Sequence, residues 1–375
     1  MKLKIFKSSL LLGALLLFVL SLYAGSPFSK EYSKVIIKEF PLSEDQSVML
    51  NNQYGLVNVE SWSQDMVKIK IEIVVDAGSE TDAEEVYKKI RFAFEESNEG
   101  VSCTTRIEEG STGFWGWWNG NDDINYSINY DVKMPSESHL AVSNKYGDCT
   151  VNNLQRSADF NIKYGNLHTY GDMENINLSL GYGKARIESA VQFDGSLEYC
   201  TFKSGSIEKC ELNSKYSNIF IEDAGELVCN TKYDDYNLGM IGTLRNKGKY
   251  DDFHIEEVSD IGMQTMYADL EINRLHHFAD LRFQYGEVAI HGLSDAFKRV
   301  ALEGSYADFK INTSEVNNFR LEFDGQYSDL DCKRDLAGRE EEKDGTSYRL
   351  AGYVEAPDGG GDIIARVTYG NVKIK

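Results

Sequence analysis

"SKYSNIFIED", Ser214 to Asp223, is followed by "TKYDDYNLGM" from Thr231 and "GKYDDFHIEE" from Gly248. Each stretch writes Lys-Tyr, a small or turn-forming pair, and then an alternating apolar pair. Tyrosines in this setting recur at Tyr146, Tyr164, Tyr182, Tyr199, Tyr216, Tyr233, Tyr250, Tyr267, Tyr285, Tyr306, Tyr327 and Tyr369, in steps of 18, 18, 17, 17, 17, 17, 17, 18, 21, 21 and 42 residues. Tyr348 stands at the midpoint of the last step, which therefore reads as two steps of 21.

Aligning the copies on Tyr shows which positions stay apolar. Three and five residues later come Ile219 and Ile221, Phe253 and Ile255, Leu270 and Ile272; eight later come Ile207, Ala224, Ile241 and Val258. Six and four residues earlier come Ile176 and Leu178, then Leu227 and Cys229. Alternation of period two is the mark of a strand with one buried face. A 17-residue unit buries too little surface to fold alone, so the copies must stack. The pattern predicts an all-β chain, a parallel β-solenoid of about 13 coils of 17–21 residues. At a strand spacing of about 4.8 Å it would form a rod roughly 60 Å long. An up-and-down antiparallel meander is the alternative, and the constancy of the step favours the solenoid. The tyrosines are expected to form an interior column at one corner, ring against ring. Gly147, Gly165, Gly183 and Gly286, one residue on, are expected to supply the turn angles.

Five of the six cysteines fall within the same frame. Cys149, Cys210, Cys229 and Cys332 fall in apolar columns, where cysteine acts as a small buried hydrophobe, and Cys200 has no cysteine in its column on a neighbouring coil. No ladder of disulfides is expected.

Before Leu140 the repeat thins to one copy, at Tyr54. "QSVMLNNQYGLVNVESW" and "DMVKIKIEIVV" read as strands, and "SETDAEEVYKKIRFAFEES" reads as an amphipathic helix over 81–97 with Val86, Ile90 and Phe94 spaced by four. The sequence thus divides into a signal peptide over 1–24, a β-rich cap over 25–140 and a solenoid over 141–375 with an insertion over 333–364. The signal rests on Lys2, Lys4 and Lys7, an apolar run from Leu10 to Tyr23, and small residues at Ala24 to Ser26. The apolar run is shorter than the roughly 20 residues that span a bilayer, so no integral segment is expected after cleavage. The insertion, "KRDLAGREEEKDGTSYRLAGYVEAPDGGGDII", reads from its charges and three glycines as an exposed excursion.

Formal net charge is −21, and −24 once the three leader lysines are removed. A surface that acidic repels phosphate backbones and anionic lipid, which excludes nucleic acid as a charge-driven partner.

Two features stand out as candidate binding chemistry. Trp115, Trp117 and Trp118, three of four tryptophans, lie in the Gly/Asn/Asp loop "GFWGWWNGNDD" and could stack on sugar rings, anchor a protein, or plug the end of the stack. Asp235, Asp252 and Asp269 stand two residues after successive tyrosines and form a weak calcium column, with a solvated, lysine-paired face as the ordinary alternative. His139, His168, His254, His276, His277 and His291 have no metal-ligand spacing, and no nucleophile elbow or phosphate-binding glycine loop is present. No catalytic residue and no cofactor are expected.

"LVNVESW" after Asn-Gln-Tyr-Gly, "INYDVKMP" leading into "LAVSNKYGDCTV", and the many Tyr-Gly-Asp-apolar coils resemble the bacterial "putative adhesin" family of β-strand repeat proteins, similar to autotransporter-adhesin-like head domains. The resemblance spans roughly Ser33 to Lys375 and supplies no catalytic residues. It implies a non-catalytic exported scaffold that engages an envelope glycan or protein in the periplasm, on the outer-membrane surface or outside the cell. A polysaccharide-active enzyme on a β-helix and a purely structural or stress-related envelope protein are the alternatives.

Overall fold

The structure is a computed structural model and describes residues 30–43, 45–108, 125–357 and 359–375. The signal segment and the tryptophan loop, with Trp115, Trp117 and Trp118, lie outside the described residues. The chain divides into two compact units, one of 1–34, 73–91 and 107–127, the other of 35–72, 92–106 and 128–375. Among the described residues no helix is long and apolar enough to cross a membrane.

The larger unit is the expected parallel β-solenoid. In its regular middle each coil is one strand of 15 residues, as in Thr201–Lys215, Asn218–Lys232 and Asp235–Lys249. Each pairs in parallel with the next copy of the repeat, Phe202 against Ile219 and Ile219 against Tyr236. The period-two reading holds: Phe202, Ile207, Cys210 and Leu212 all point into the core of one coil. Pairing lapses at Gly205 and Glu208, where the strand turns its other two corners. All six cysteines are unpaired, and five of them are buried.

The tyrosine corner differs from expectation in two respects. The rings are outside the coil: Tyr54 and Tyr285 are half-buried, and exposure of the others runs from 38 % at Tyr146 to 53 % at Tyr327. The left-handed backbone angle belongs to tyrosine itself, with φ between 52° and 63° at thirteen tyrosines from Tyr54 to Tyr369. A side chain at positive φ costs about 1–2 kcal/mol. Here it points each ring away from the core and onto its neighbours, and the thirteen rings form one unbroken stack with centroids 4.7–5.3 Å apart. An aromatic pair contributes about 0.5–1.5 kcal/mol, so contacts above and below offset the strain. The following glycines serve close approach. A Cβ on Gly147 would stand 1.9 Å from the carbonyl oxygen of Gly55, and one on Gly165 2.1 Å from that of Gly147.

At two coils where the next residue is aspartate, it points inward and caps the backbone of the preceding coil. Asp234 Oδ1 accepts from Ser217 N at 2.8 Å and Asp251 Oδ1 from Asp234 N at 3.0 Å. Their second oxygens accept from Ser214 Oγ at 2.9 Å and Thr231 Oγ1 at 2.7 Å. Burial pushes the Asp251 carboxyl up to about 6 and raises Asp234 as well.

The early Tyr54 copy is a full coil. Ser47–Gln53 pairs in parallel with His139–Lys145, Val57–Trp62 pairs with Cys149–Asn152, and Tyr54 stacks on Tyr146 at 5.3 Å. Beyond it, Gly100–Ile107 pairs with Ser47–Gln53, and Asn125–Pro135 pairs with Val57–Trp62. In the smaller unit the helix runs Glu80–Lys89, capped by Ser79, and ends short of the expected 97. The chain continues as the strand Ile90–Ser97, whose β-branched and aromatic start favours extension.

At the other end the stacking order departs from chain order. Tyr348 is no coil tyrosine: it lies in Ser347–Val354, which runs antiparallel to Phe319–Gln326. Instead Tyr369 stacks between Tyr306 and Tyr327, at 4.8 and 4.7 Å. The insertion holds a β-hairpin, Ala337–Asp344 running antiparallel to Ser347–Val354. Its outer strand, Ala337–Asp344, is exposed throughout, and the charges of Arg339, Glu340, Glu341, Glu342 and Lys343 blunt that edge against further pairing.

Candidate functional site

The residues five and three places before each tyrosine point outward from one face of the coils. Strand register aligns the second of these sets into a column, Asn51, Ser143, Asn161, Ser179, Ser196, Asn213 and Asn230. The first set gives Met49, Ala141, Asp159, Asn177, Asp194 and Glu211 beside it. Alanine and serine keep the floor low. Asn230 borders a separate hollow, but as far as Glu211 and Asn213, and together with Glu95, Ser102 and Thr104, the two columns line an open groove of about 830 Å³ that runs across successive coils.

Its chemistry is graded across its width. The floor is neutral, built of amides and hydroxyls that both donate and accept. Asn230 Nδ2 donates to Asn213 Oδ1 at 3.1 Å and Asn177 Nδ2 to Asp159 Oδ1 at 2.7 Å, while hydroxyls between them face the groove. One rim is acidic, with Asp159, Asp194 and Glu211; His139 braces Asp159, its Nε2 3.0 Å from Oδ2. Outside the groove's lining, lysines just before the tyrosines lie over the stacked rings, Lys145 over Tyr146 at 4.7 Å and Lys163 over Tyr164 at 5.4 Å. Such a surface can take a polyhydroxylated chain by hydrogen bonds, one coil at a time.

The predicted aspartates lie on a different face. Asp235, Asp252 and Asp269 stand in register on adjacent coils. Burial, then the charges of Asp269 and Asp235, raises the Asp252 carboxyl. Among the described residues no group of three or more metal-capable side chains is poised to hold an ion. Asp252 and Asp269 instead border a second hollow of about 610 Å³, where Glu271 joins two histidines: His254 Nδ1 lies 3.1 Å from Oε2 and His291 Nε2 2.7 Å from Oε1. Those hydrogen bonds hold the Glu271 carboxyl below its ordinary value. Sequence reasoning missed this cluster because it looked for ligand spacing along the chain. The signal is the coil step, which sets His254 and Glu271 in one column on adjacent coils. It also missed the groove, since serine and asparagine on an outward face look like ordinary solvated positions until the register lines them up.

No family profile matches the chain, and no curated protein matches it. Solved structures to which it is similar include a "putative cell adhesion protein" of Clostridium sporogenes, at 9 % identity over 92 % of this chain and 99 % of that one, with a TM-score of 0.22. Others are a "putative adhesin" of Bacteroides fragilis, at 9 % identity over 91 % and 97 % with a TM-score of 0.23, and a "putative lipid binding protein" of Parabacteroides distasonis, at 9 % over 91 % and 96 % with a TM-score of 0.23. The first two names coincide with the family that the coils resemble. A likeness at these TM-scores carries no argument about what this chain binds.

Proposed function

We propose that this chain is an exported, non-catalytic binding scaffold of the cell envelope that holds an extended glycan along the Asn51–Asn213 groove. One observation carries the reading: a neutral column of amides and hydroxyls repeats once per coil at the floor of an open groove of about 830 Å³. A β-linked glycan in extended form advances by about one sugar per coil spacing of about 4.8 Å, so successive sugars meet equivalent donors and acceptors. The lysine-rich leader with its apolar run supports export. The non-catalytic reading is supported by Asp251, whose carboxyl is raised to about 6 yet is buried inside the coil and caps the Asp234 backbone N–H.

The test is binding of the mature protein to fractionated envelope polysaccharide, compared with Ser179→Arg/Ser196→Arg. Both serines are exposed, so the double variant fills the groove without touching the core. A loss of affinity of tenfold or more at unchanged melting temperature supports the groove. Unchanged binding overturns it, and Trp115→Ala/Trp117→Ala/Trp118→Ala then asks whether the tryptophan loop is the platform. Release of shortened oligosaccharides by the wild type overturns the non-catalytic reading.

A further inference from the structure

The segment Gly361–Lys375 fills a slot whose two walls come from earlier in the chain. On one side Gly361–Thr368 and Asn371–Ile374 pair in parallel with Arg299–Ile311; on the other they pair with Phe319–Gln326 and Asp329–Cys332. Ile363, Val367, Val372 and Ile374 are buried there, and the Lys375 carbonyl accepts from both N and Oγ1 of Thr313 at 2.7 Å. Every one of these contacts is made by the segment and none by its tether.

We propose that this slot is an exchange site for a second copy of the chain: Gly361–Lys375 of one molecule fills the slot of another, reciprocally, to give an intertwined dimer. Two observations point to it. The wall strands precede the segment and are joined to each other, so an entering strand meets the same hydrogen-bonding edges whichever molecule supplies it. The tether that brings the segment home is also strained at Glu355, a side chain held at φ 64°. Reciprocal exchange repeats all the native contacts and changes only the hinge, so hinge strain and concentration set the balance between monomer and dimer.

The test uses the full chain with Ala301→Cys and Ile364→Cys, register partners on the outward face of the slot. The protein is unfolded, refolded dilute or concentrated, oxidised, and run on a non-reducing denaturing gel beside each single-cysteine control. Concentrated refolding is expected to give a dimer joined through the engineered 301–364 disulfide, and Glu355→Val, a β-branched side chain at φ 64° in the hinge, to enrich it about tenfold. If that variant does not refold, two differently tagged copies of the Glu355 parent, refolded together at high concentration, give the same readout. Monomer alone at every concentration, or dimer whose 301–364 disulfides all stay within one chain, overturns the proposal.

Discussion

From Tyr182 to Tyr267 each coil rests on the one written immediately before it, whereas the coils at the two ends find their neighbours far along the chain. Tyr54 stacks on Tyr146 although the helix and several strands are written between them. Tyr369 stacks on Tyr306 although the Tyr327 coil and the hairpin intervene. The regular middle closes short loops and can grow coil upon coil. The ends must close long ones first, which costs more chain entropy before any contact is made. A fault in the middle should therefore be tolerated locally, and one at an end should detach what lies beyond it.

The largest expected effect is at the inserted coil. Val367→Asp places an unpaired charge at a position 2 % exposed and should cost about 4 kcal/mol. Limited proteolysis should then cut within 333–360 first; cleavage spread evenly over the coils would erase the distinction drawn between end and middle. Gly147→Ala comes next. Its Cβ meets the Gly55 carbonyl oxygen, backbone that cannot yield, and should cost about 3 kcal/mol, read as a fall in denaturation midpoint. Gly262 in the regular middle has nothing within 4 Å of a Cβ, so Gly262→Ala should instead raise stability by about 0.5 kcal/mol through the unfolded chain.

Within the middle, Tyr233→Ala removes two ring contacts, with Tyr216 and Tyr250, and should cost about 2 kcal/mol. Tyr233→Gly loses the same contacts but relieves the φ of 58°, so it should be about 1 kcal/mol the milder of the two. Equal losses would mean that the corner carries no strain.

A further test is one of pH. Burial raises the Asp251 carboxyl to about 6, above its unfolded value of about 3.9, so the folded chain holds that proton more tightly. Its contribution is favourable at low pH and is lost as pH rises through the interval between those two values. The melting temperature of the wild type should fall more between about pH 4 and pH 7 than that of Asp251→Asn, whose carbonyl oxygen still accepts from Asp234 N. Parallel curves would show that the carboxyl feels no burial.

Much of the architecture was legible because a strand reports its faces with period two. Ile219, Ile221, Leu227 and Cys229 announced themselves as core without any partner in view. The groove was not read from the sequence, because Ser179 and Ser196 lie a coil apart along the chain and only register makes neighbours of them. The helix was placed at its start by Ser79 and overrun at its end, because the spacing of Val86, Ile90 and Phe94 satisfies a helix and Ile90–Ser97 is strand all the same.

By itself the sequence determined the coil length and the buried columns, since a short repeat with fixed apolar positions can bury them only against its own copies; the constancy of the step favoured parallel stacking, and the strand register decided it. It could not say on which side of the wall the tyrosines lie, because a corner residue at positive φ belongs to neither face of the period-two pattern. Nor could it give the order of Tyr306, Tyr369 and Tyr327. Those coils carry the same one-coil pattern, and which edges meet was decided by the fit of distant segments.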